Sequence, residues 1–300
     1  MSQNPNLFDR ALLRARQRRA VRLGPATFLV ERAAEEFAER LSAVLRRFDL
    51  AVDLGTPADG VRRQMAREKK IGRIVAVDAI ATERPTDDAL KVVGDEEILP
   101  FKDASLDLVV SALALQFVND LPGTLIQIRR ALKPDGLLLA ALIGGDTLHE
   151  LRQAFAAAEA ELEDGISPHV APFADVREMG MLLQRAGFAL PVADVEQLTV
   201  RYGSPFALMH DLRRMGATNV LNERRRTPLR RASLMRMAQI YAERFADADG
   251  KVRATFEIVW LSGWAPHGSQ QQPRAPGSAE RRLADALGTH EIPAGDKARR

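Results

Sequence analysis

Acidic residues close three short apolar runs early in the chain: Asp53 in "LAVDLG", Asp78 in "RIVAVDA", and Asp95 with Glu96 in "LKVVGDE". Acids in that rhythm can hold a nucleoside. A carboxylate at the end of the second run, about two dozen residues after the first acid, is placed to accept hydrogen bonds from both hydroxyls of a ribose. Asp95 and Glu96 can accept from an exocyclic amine, and Ile98, Leu99 and Phe101 behind them offer apolar walls to a purine. Gly55 opens the turn after the first run, where a glycine lets backbone approach a ligand closely. Pro57 and Asp59 occupy the next alternate positions, and Gly60 falls one step out of register. Taken alone, the acid-x-Gly turn also fits a plain strand–helix connection, and Asp78 also fits an ordinary loop acid.

Two further groups invite chemistry. "GGDTLHELR" follows the fifth apolar run and puts Asp146 and His149 at the same edge; Thr147 and Glu150 within it have capping-box spacing. His169, in "SPHVAPF", lies on a proline-bracketed loop, as a base or as a structural hydrogen-bonder. Metal chemistry finds no support: the chain has five histidines, no cysteine, and no His-x-His or His-x-x-x-His spacing. The lack of cysteine also removes disulfides, iron–sulfur ligation and thiol nucleophiles, and fits a reducing compartment.

The elements that must position these groups can be read from periodicity. Continuous apolar runs separated by helix-period segments require a parallel sheet covered on both faces. Residues 7–48 read as helical, broken into two by Gly24 and Pro25, with Leu12, Leu13, Phe28, Phe37, Leu41, Val44, Leu45 and Phe48 among many Arg and Glu. Leu125, Ile128 and Leu132 share one helix face, and Pro134 with Gly136 supply a turn before the next strand. Leu148, Leu151, Phe155, Ala158 and Leu162 form the buried stripe of the helix after Thr147. Asp175 and Glu178 cap another, which Gly187 ends. Residues 192–200 and 253–264 read as two last strands, with the Met and aromatic residues between them as core.

With 300 residues, 46% of them hydrophobic and 28% charged, the chain can build one large α/β domain with additions or two small domains. No apolar stretch approaches the ~20 residues that span a bilayer. Residues 7–22 are Arg-rich and acid-poor, superficially like a mitochondrial presequence, but read as the start of a soluble helix; no secretory h-region precedes them. The net charge of +3 gives no general argument for nucleic acid. Two arginine clusters, residues 10–22 and 213–231, read first as solvated helix faces and second as a docking surface for an acidic partner. Nucleic acid comes last, because aromatic interleaving is nearly absent.

The motif string "VDLG", "VAVD", "GDEEILPF", "VNDLP", "LKPDG", "GGDTLHELR", "SPHVAPF" and "GMLLQRAGF" resembles the class I S-adenosylmethionine-dependent methyltransferases. More narrowly, it resembles the subfamily of a mitochondrial complex I assembly factor that hydroxylates an arginine, with its bacterial relatives. It is similar, more distantly, to the pimeloyl-precursor methyltransferases of biotin synthesis. The resemblance covers roughly residues 7–265. It implies an α/β, Rossmann-like, doubly wound, seven-stranded and mostly parallel sheet whose last two strands are antiparallel. It also implies that Asp53 and Gly55 lie at the methionine end of S-adenosylmethionine, Asp78 at the ribose, Asp95 and Glu96 at the adenine, and Ser111 to Leu113 on the floor.

Two positions depart from that pattern: Pro57 and Asp59 replace loop glycines, and Gln116-Phe117 stands where many relatives have His-Trp. Methyl transfer asks mainly for proximity and a dry pocket, so Asp146 and His169 are the catalytic candidates without an obligatory triad. The expected organisation is a helical cap (1–48), a Rossmann core (49–202), a helical lid insertion (203–250), the last core strand (251–266) and a disordered tail (267–300). Three activities follow: methylation of a small molecule or protein side chain, arginine hydroxylation on or assembly of a respiratory-complex subunit, and a non-catalytic scaffold. The expected location is cytoplasmic.

Overall fold

A computed structural model describes residues 6–80, 90–163, 165–271, 278 and 282–290. Seven strands make one sheet: β1 Phe48–Leu54, β2 Ile71–Asp78, β3 Leu90–Val93, β4 Leu106–Ala112, β5 Leu132–Ile143, β6 Ala189–Tyr202 and β7 Val252–Trp264. Their spatial order is β3-β2-β1-β4-β5-β7-β6. β1 to β5 pair in parallel, while β7 runs antiparallel to both β5 and β6. The chain winds outward from β1 to β3 and then returns to lay β4 on the other side of β1. That reversal opens a crevice beyond the carboxyl ends of β1 and β4, where α/β sheets bind their ligands.

Alternation along the strands explains the continuous apolar runs. Leu108 and Val110 of β4 face one core and Val109 the other; Leu137 and Leu139 of β5 oppose Leu138 in the same way. Each run therefore feeds two cores at once.

The first core is closed by α2 (Phe28–Ser42), α3 (Gly60–Met65), α5 (His149–Leu162), α7 (Pro205–Arg214) and α8 (Arg231–Phe245). Leu29, Ala33, Phe37 and Leu41 make the buried stripe of α2, and Phe37 meets the Trp260 ring edge-on at 5.8 Å. Met237, Ile240 and Tyr241 of α8 are buried in the core, whereas Met235 on the opposite face is 46% exposed, so the reading of its Met and aromatic residues as core holds only for the inner face. The second core lies under α4 (Leu121–Ala131) and α6 (Val176–Arg185). Asp175 caps α6 by accepting from the Glu178 N–H at 2.8 Å, and Gly187 follows it at φ +83°. The remaining cap helix, α1 (Arg10–Leu23), starts on Asp9, whose carboxylate accepts from the Leu12 N–H at 2.9 Å.

Four local expectations are corrected. The helical reading of 7–48 runs too far: α2 ends at Ser42, Leu45 is exposed, and Phe48 is buried as the first residue of β1. Leu132 likewise opens β5, and the register with β4 shifts across the Pro134–Gly136 stretch, with Asp135 at φ +65°. Thr147 and Glu150 form no capping box. Instead the Thr147 hydroxyl bridges to the Glu257 backbone, and Glu150 accepts from Thr255 N–H and Oγ1, because β7 lies within reach and supplies unpaired backbone. Leu162 is 43% exposed at the last turn of α5, past the edge of the core.

Residues 267–300 separate from the rest as their own unit. The expectation of disorder there falls largely on positions outside the described residues; within them Leu283–Leu287 forms a short helix, α9. Among the described residues no helix is long and apolar enough to cross a membrane.

Candidate functional site

The carboxyl edge of β1 turns on Gly55, at φ +70°, a conformation that side chains with a Cβ resist. Its N–H donates to the Val77 carbonyl at 2.7 Å, tying the turn to β2. Next to it Thr56 is buried and its Oγ1 accepts from the Ala112 N–H at 3.0 Å, while Ser111 donates to the Leu54 carbonyl at 2.7 Å. Ser111 is thus a buried tie between β4 and β1. Leu113, just past β4, sits at φ +55° on the cavity wall, a strained backbone of the kind that clusters at functional sites. Pro57 and Ala58 complete the loop before α3. Ala58 is itself at φ +67° without being glycine. Ala58→Gly should therefore raise stability by about 1 kcal/mol in a denaturant titration; an unchanged or lower value would mean that the strain is compensated by packing.

Asp53 is buried beneath that loop, and its Oδ2 accepts from Arg62 of α3 at 2.7 Å. Its Oδ1 is sealed from solvent, with the Thr56 hydroxyl beside the carboxyl. Burial pushes the carboxyl up to about 6, against the pull of Arg62. A carboxyl raised on folding stabilises the protein below its unfolded pKa and loses that contribution as pH rises through the folded one. The stability of Asp53→Asn relative to the parent should therefore climb between about pH 4 and pH 6, by roughly 3 kcal/mol. A flat difference across that window would show that Asp53 is ionised throughout.

Asp78, at the end of β2, accepts from the Ile80 N–H at 2.9 Å. Burial raises its carboxyl above the ordinary value; the Ile80 N–H opposes this and the charge of Glu96 adds to it. The third pair of acids is already engaged. Arg10 of α1 reaches Asp95 at 2.7 Å and makes a close ion pair with Glu96, and Arg14 pairs with the other oxygen of Asp95. Burial pushes Asp95 up, yet the Glu97 N–H and the two guanidinia hold it below its ordinary value. The reading of residues 10–22 as a solvated face is thus corrected for Arg10, whose side chain is 14% exposed. The signal was present: Arg10, Leu13, Arg14, Gln17 and Ala20 share one helix face, and Leu13 and Ala20 are buried. Arg224 likewise bridges to Asp9, and Arg225 to Glu163, so part of the second cluster ties the insertion down.

A cavity of about 700 Å³ lies beyond this edge. Gly55, Pro57, Asp78, Leu113 and Gln116 line it from the sheet edge, Phe155 from α5, His169, Val170 and Phe173 from the loop after it, and Met209, Leu212 and Leu229 from the insertion. Asp53, Asp95, Glu96, Ser111 and Asp146 do not line it. Asp146 is exposed, and among the described residues its contacts are made by its carbonyl, to the His149 N–H at 3.4 Å and to His149 Nδ1 at 3.1 Å. His169 is held 2.7 Å from the buried carboxylate of Glu159, a residue that nothing in the sequence singles out. Gln116 spends its Nε2 on the Leu113 carbonyl at 2.8 Å, and Phe117 packs edge-on against Phe8 at 5.7 Å, so the pair standing in place of His-Trp serves the loop and the cap. Among the described residues no cluster of His, Asp and Glu could hold a metal ion.

The residues present fit a nucleoside at one end. Gly55 and Asp78 both line the cavity, and Asp78 offers a carboxylate there; a Cβ on Gly55 would fall 2.7 Å from Glu96 Oε1, so the Glu96 side chain packs where only glycine leaves room for it. Asp95 and Glu96, expected at the adenine, are satisfied by guanidinia and do not line the cavity.

Comparison with known proteins shows the family and the fold. A family profile described as "Methyltransferase domain" matches residues 52–140, from β1 into β5. The human protein named arginine-hydroxylase NDUFAF5, mitochondrial, is 41% identical over 285 residues, covering 91% of this chain and 81% of that protein. A malonyl-[acyl-carrier protein] O-methyltransferase of Gallionella capsiferriformans is 31% identical, covering 88% of this chain and 93% of its own. Among solved structures, the YcgJ protein of a Bacillus superposes with a TM-score of 0.53 at 14% identity, over 79% of this chain and 99% of that one, a likeness of fold. The expectation of a cytoplasmic protein is corrected here: relatives that match nearly the whole chain are named mitochondrial.

Proposed function

Since the chain belongs to the class I S-adenosylmethionine-dependent methyltransferase family, in the branch related to the arginine hydroxylase NDUFAF5, we propose that it binds S-adenosylmethionine at the ends of β1 and β2 and transfers its methyl group to an acceptor in the adjoining cavity. The observation that carries this reading is the shared wall. Gly55 and Asp78 face the same 700 Å³ space as His169 and the insertion. Gly55 and Leu113 bound the methionine end, over the sealed Asp53, and Asp78 accepts from the ribose hydroxyls. Residues 203–250 act as a lid, since Met209, Leu212 and Leu229 close the acceptor side. The bound cofactor supplies an electrophilic methyl group; the chain supplies orientation and a water-poor chamber.

Calorimetric titration with S-adenosylmethionine and S-adenosylhomocysteine tests the reading. Asp78→Ala should weaken binding by ~1.5–3 kcal/mol, the cost of a charged acceptor. Unchanged affinity would move the ribose elsewhere, and no binding at millimolar ligand would leave a scaffold.

A second reading, arginine hydroxylation on a protein such as a respiratory-complex subunit, is favoured by the higher identity to the arginine hydroxylase than to the O-methyltransferase. Intact mass of a candidate acceptor separates the two, because an added methyl group and an added oxygen differ in mass.

A further inference from the structure

His169 is fixed on two sides. Its ring stacks on Phe155, with centroids 3.8 Å apart and planes 11° from parallel. Its Nε2 lies 2.7 Å from Oε1 of Glu159, which is fully buried. The other carboxylate oxygen of Glu159 accepts from the Ser167 N–H at 2.6 Å, so both oxygens are committed. Phe155 and Glu159 are one turn apart on α5 and act on the same ring. A carboxylate only accepts, so Nε2 carries the proton that faces Glu159, and in the neutral ring the lone pair is on Nδ1. Nδ1 has no partner among the described residues and is not sealed from solvent, and the residue lines the cavity.

We infer that His169 takes the proton of the methyl acceptor through Nδ1, with Glu159 as the positioning residue that fixes its tautomer. The inference rests on the methyltransferase reading above. It also names the acceptor class: an O–H or N–H group that must shed a proton, as opposed to a carboxylate that is already ionised. In the step, the acceptor's oxygen or nitrogen bonds to the methyl carbon. The carbon–sulfur bond breaks with its electron pair left on sulfur, and the acceptor's proton passes to Nδ1. The resulting imidazolium is matched by the Glu159 carboxylate. A purely structural His169 would tie the 165–175 loop to α5 and need no free Nδ1.

Long-range proton–nitrogen correlation spectra of the full-length, nitrogen-15-labelled protein at pH 8 read the tautomer directly. The expected result is a proton on Nε2 and none on Nδ1. In Glu159→Gln, the side chain has one acceptor oxygen for two donors, so its amide N–H turns to Nε2 and the ring proton shifts toward Nδ1. A wild-type ring carrying a proton on Nδ1 overturns the inference.

Labelled methyl transfer to two peptide pools, one offering Ser, Lys and Arg side chains and one only Asp and Glu, reads the chemistry. Label is expected in the first pool, falling ~100-fold or more in His169→Gln, with S-adenosylhomocysteine affinity unchanged. Label confined to the acidic pool, or transfer by His169→Gln at the wild-type rate, overturns it. Failure of the wild type to bind S-adenosylhomocysteine overturns the methyltransferase reading and the acceptor's proton with it, whereas a proton on Nδ1 or label in the acidic pool alone, with binding intact, overturns only the inference.

Discussion

Gly55→Ala is expected to cost about 2–5 kcal/mol of stability, the sum of forcing a side chain into the left-handed region and of overpacking a filled site. The new Cβ would lie 2.7 Å from Glu96 Oε1, 2.8 Å from Glu96 Cγ and 3.0 Å from Ala114 Cβ. Glu96 has little room to yield, since its carboxylate is ion-paired with Arg10 and its side chain is 10% exposed. The Gly55 N–H bond to Val77 resists a shift of the backbone from the other side. Denaturant unfolding measures the cost, and S-adenosylhomocysteine titration should show weakened binding in whatever fraction folds. A loss below about 1 kcal/mol would mean that the turn relaxes freely and that glycine is not required there.

The second large effect concerns the joint between the cap and the sheet edge. Arg10→Ala leaves Glu96 buried without its partner, while Asp95 keeps Arg14. Breaking a buried pair from one side costs about 3–5 kcal/mol; because the Asp95 end is partly exposed, roughly 3 kcal/mol is expected. The double change Arg10→Met with Glu96→Gln should recover most of the loss, since it removes both charges together. A measured cycle with no coupling would show that Arg10 holds α1 only by its packing and by its bond to the Phe117 carbonyl. The joint is not local to the two side chains. Phe8 donates to Asn119, Asp9 donates to the Val220 carbonyl, and Arg224 returns to Asp9, so the cap, the β4 loop and the insertion share one set of ties.

Much of the scaffold was legible because its causes are local. Continuous apolar runs foretold strands buried on both faces, and Val109 between Leu108 and Val110 shows why: neighbouring residues serve opposite cores. Asp175 and Gly187 bounded their helix by chemistry that acts within a few residues. The failures were local patterns overruled from a distance. Thr147 and Glu150 had the spacing of a cap, yet the Glu257 backbone and Thr255, some hundred residues on, offered better partners.

The candidate site divides along the same line. The place of Gly55 and Asp78 on the cavity edge was readable because Gly55 follows β1 and Asp78 ends β2, and a parallel sheet lays those ends side by side. The fates of Asp95, Glu96 and His169 were not readable. A carboxylate looks the same in sequence whether it faces a ligand or a guanidinium, and Arg10 stands 86 positions from Glu96. Likewise Glu159 has the composition of an exposed helix residue, and only the packing of the 165–175 loop on α5 buries it against an imidazole. Periodicity and turn chemistry, which act between near neighbours, determined the sheet, its helices and the edge where chemistry belongs. Which charges meet there was decided by tertiary contact alone, because ion pairing depends on distance in space and carries no period along the chain.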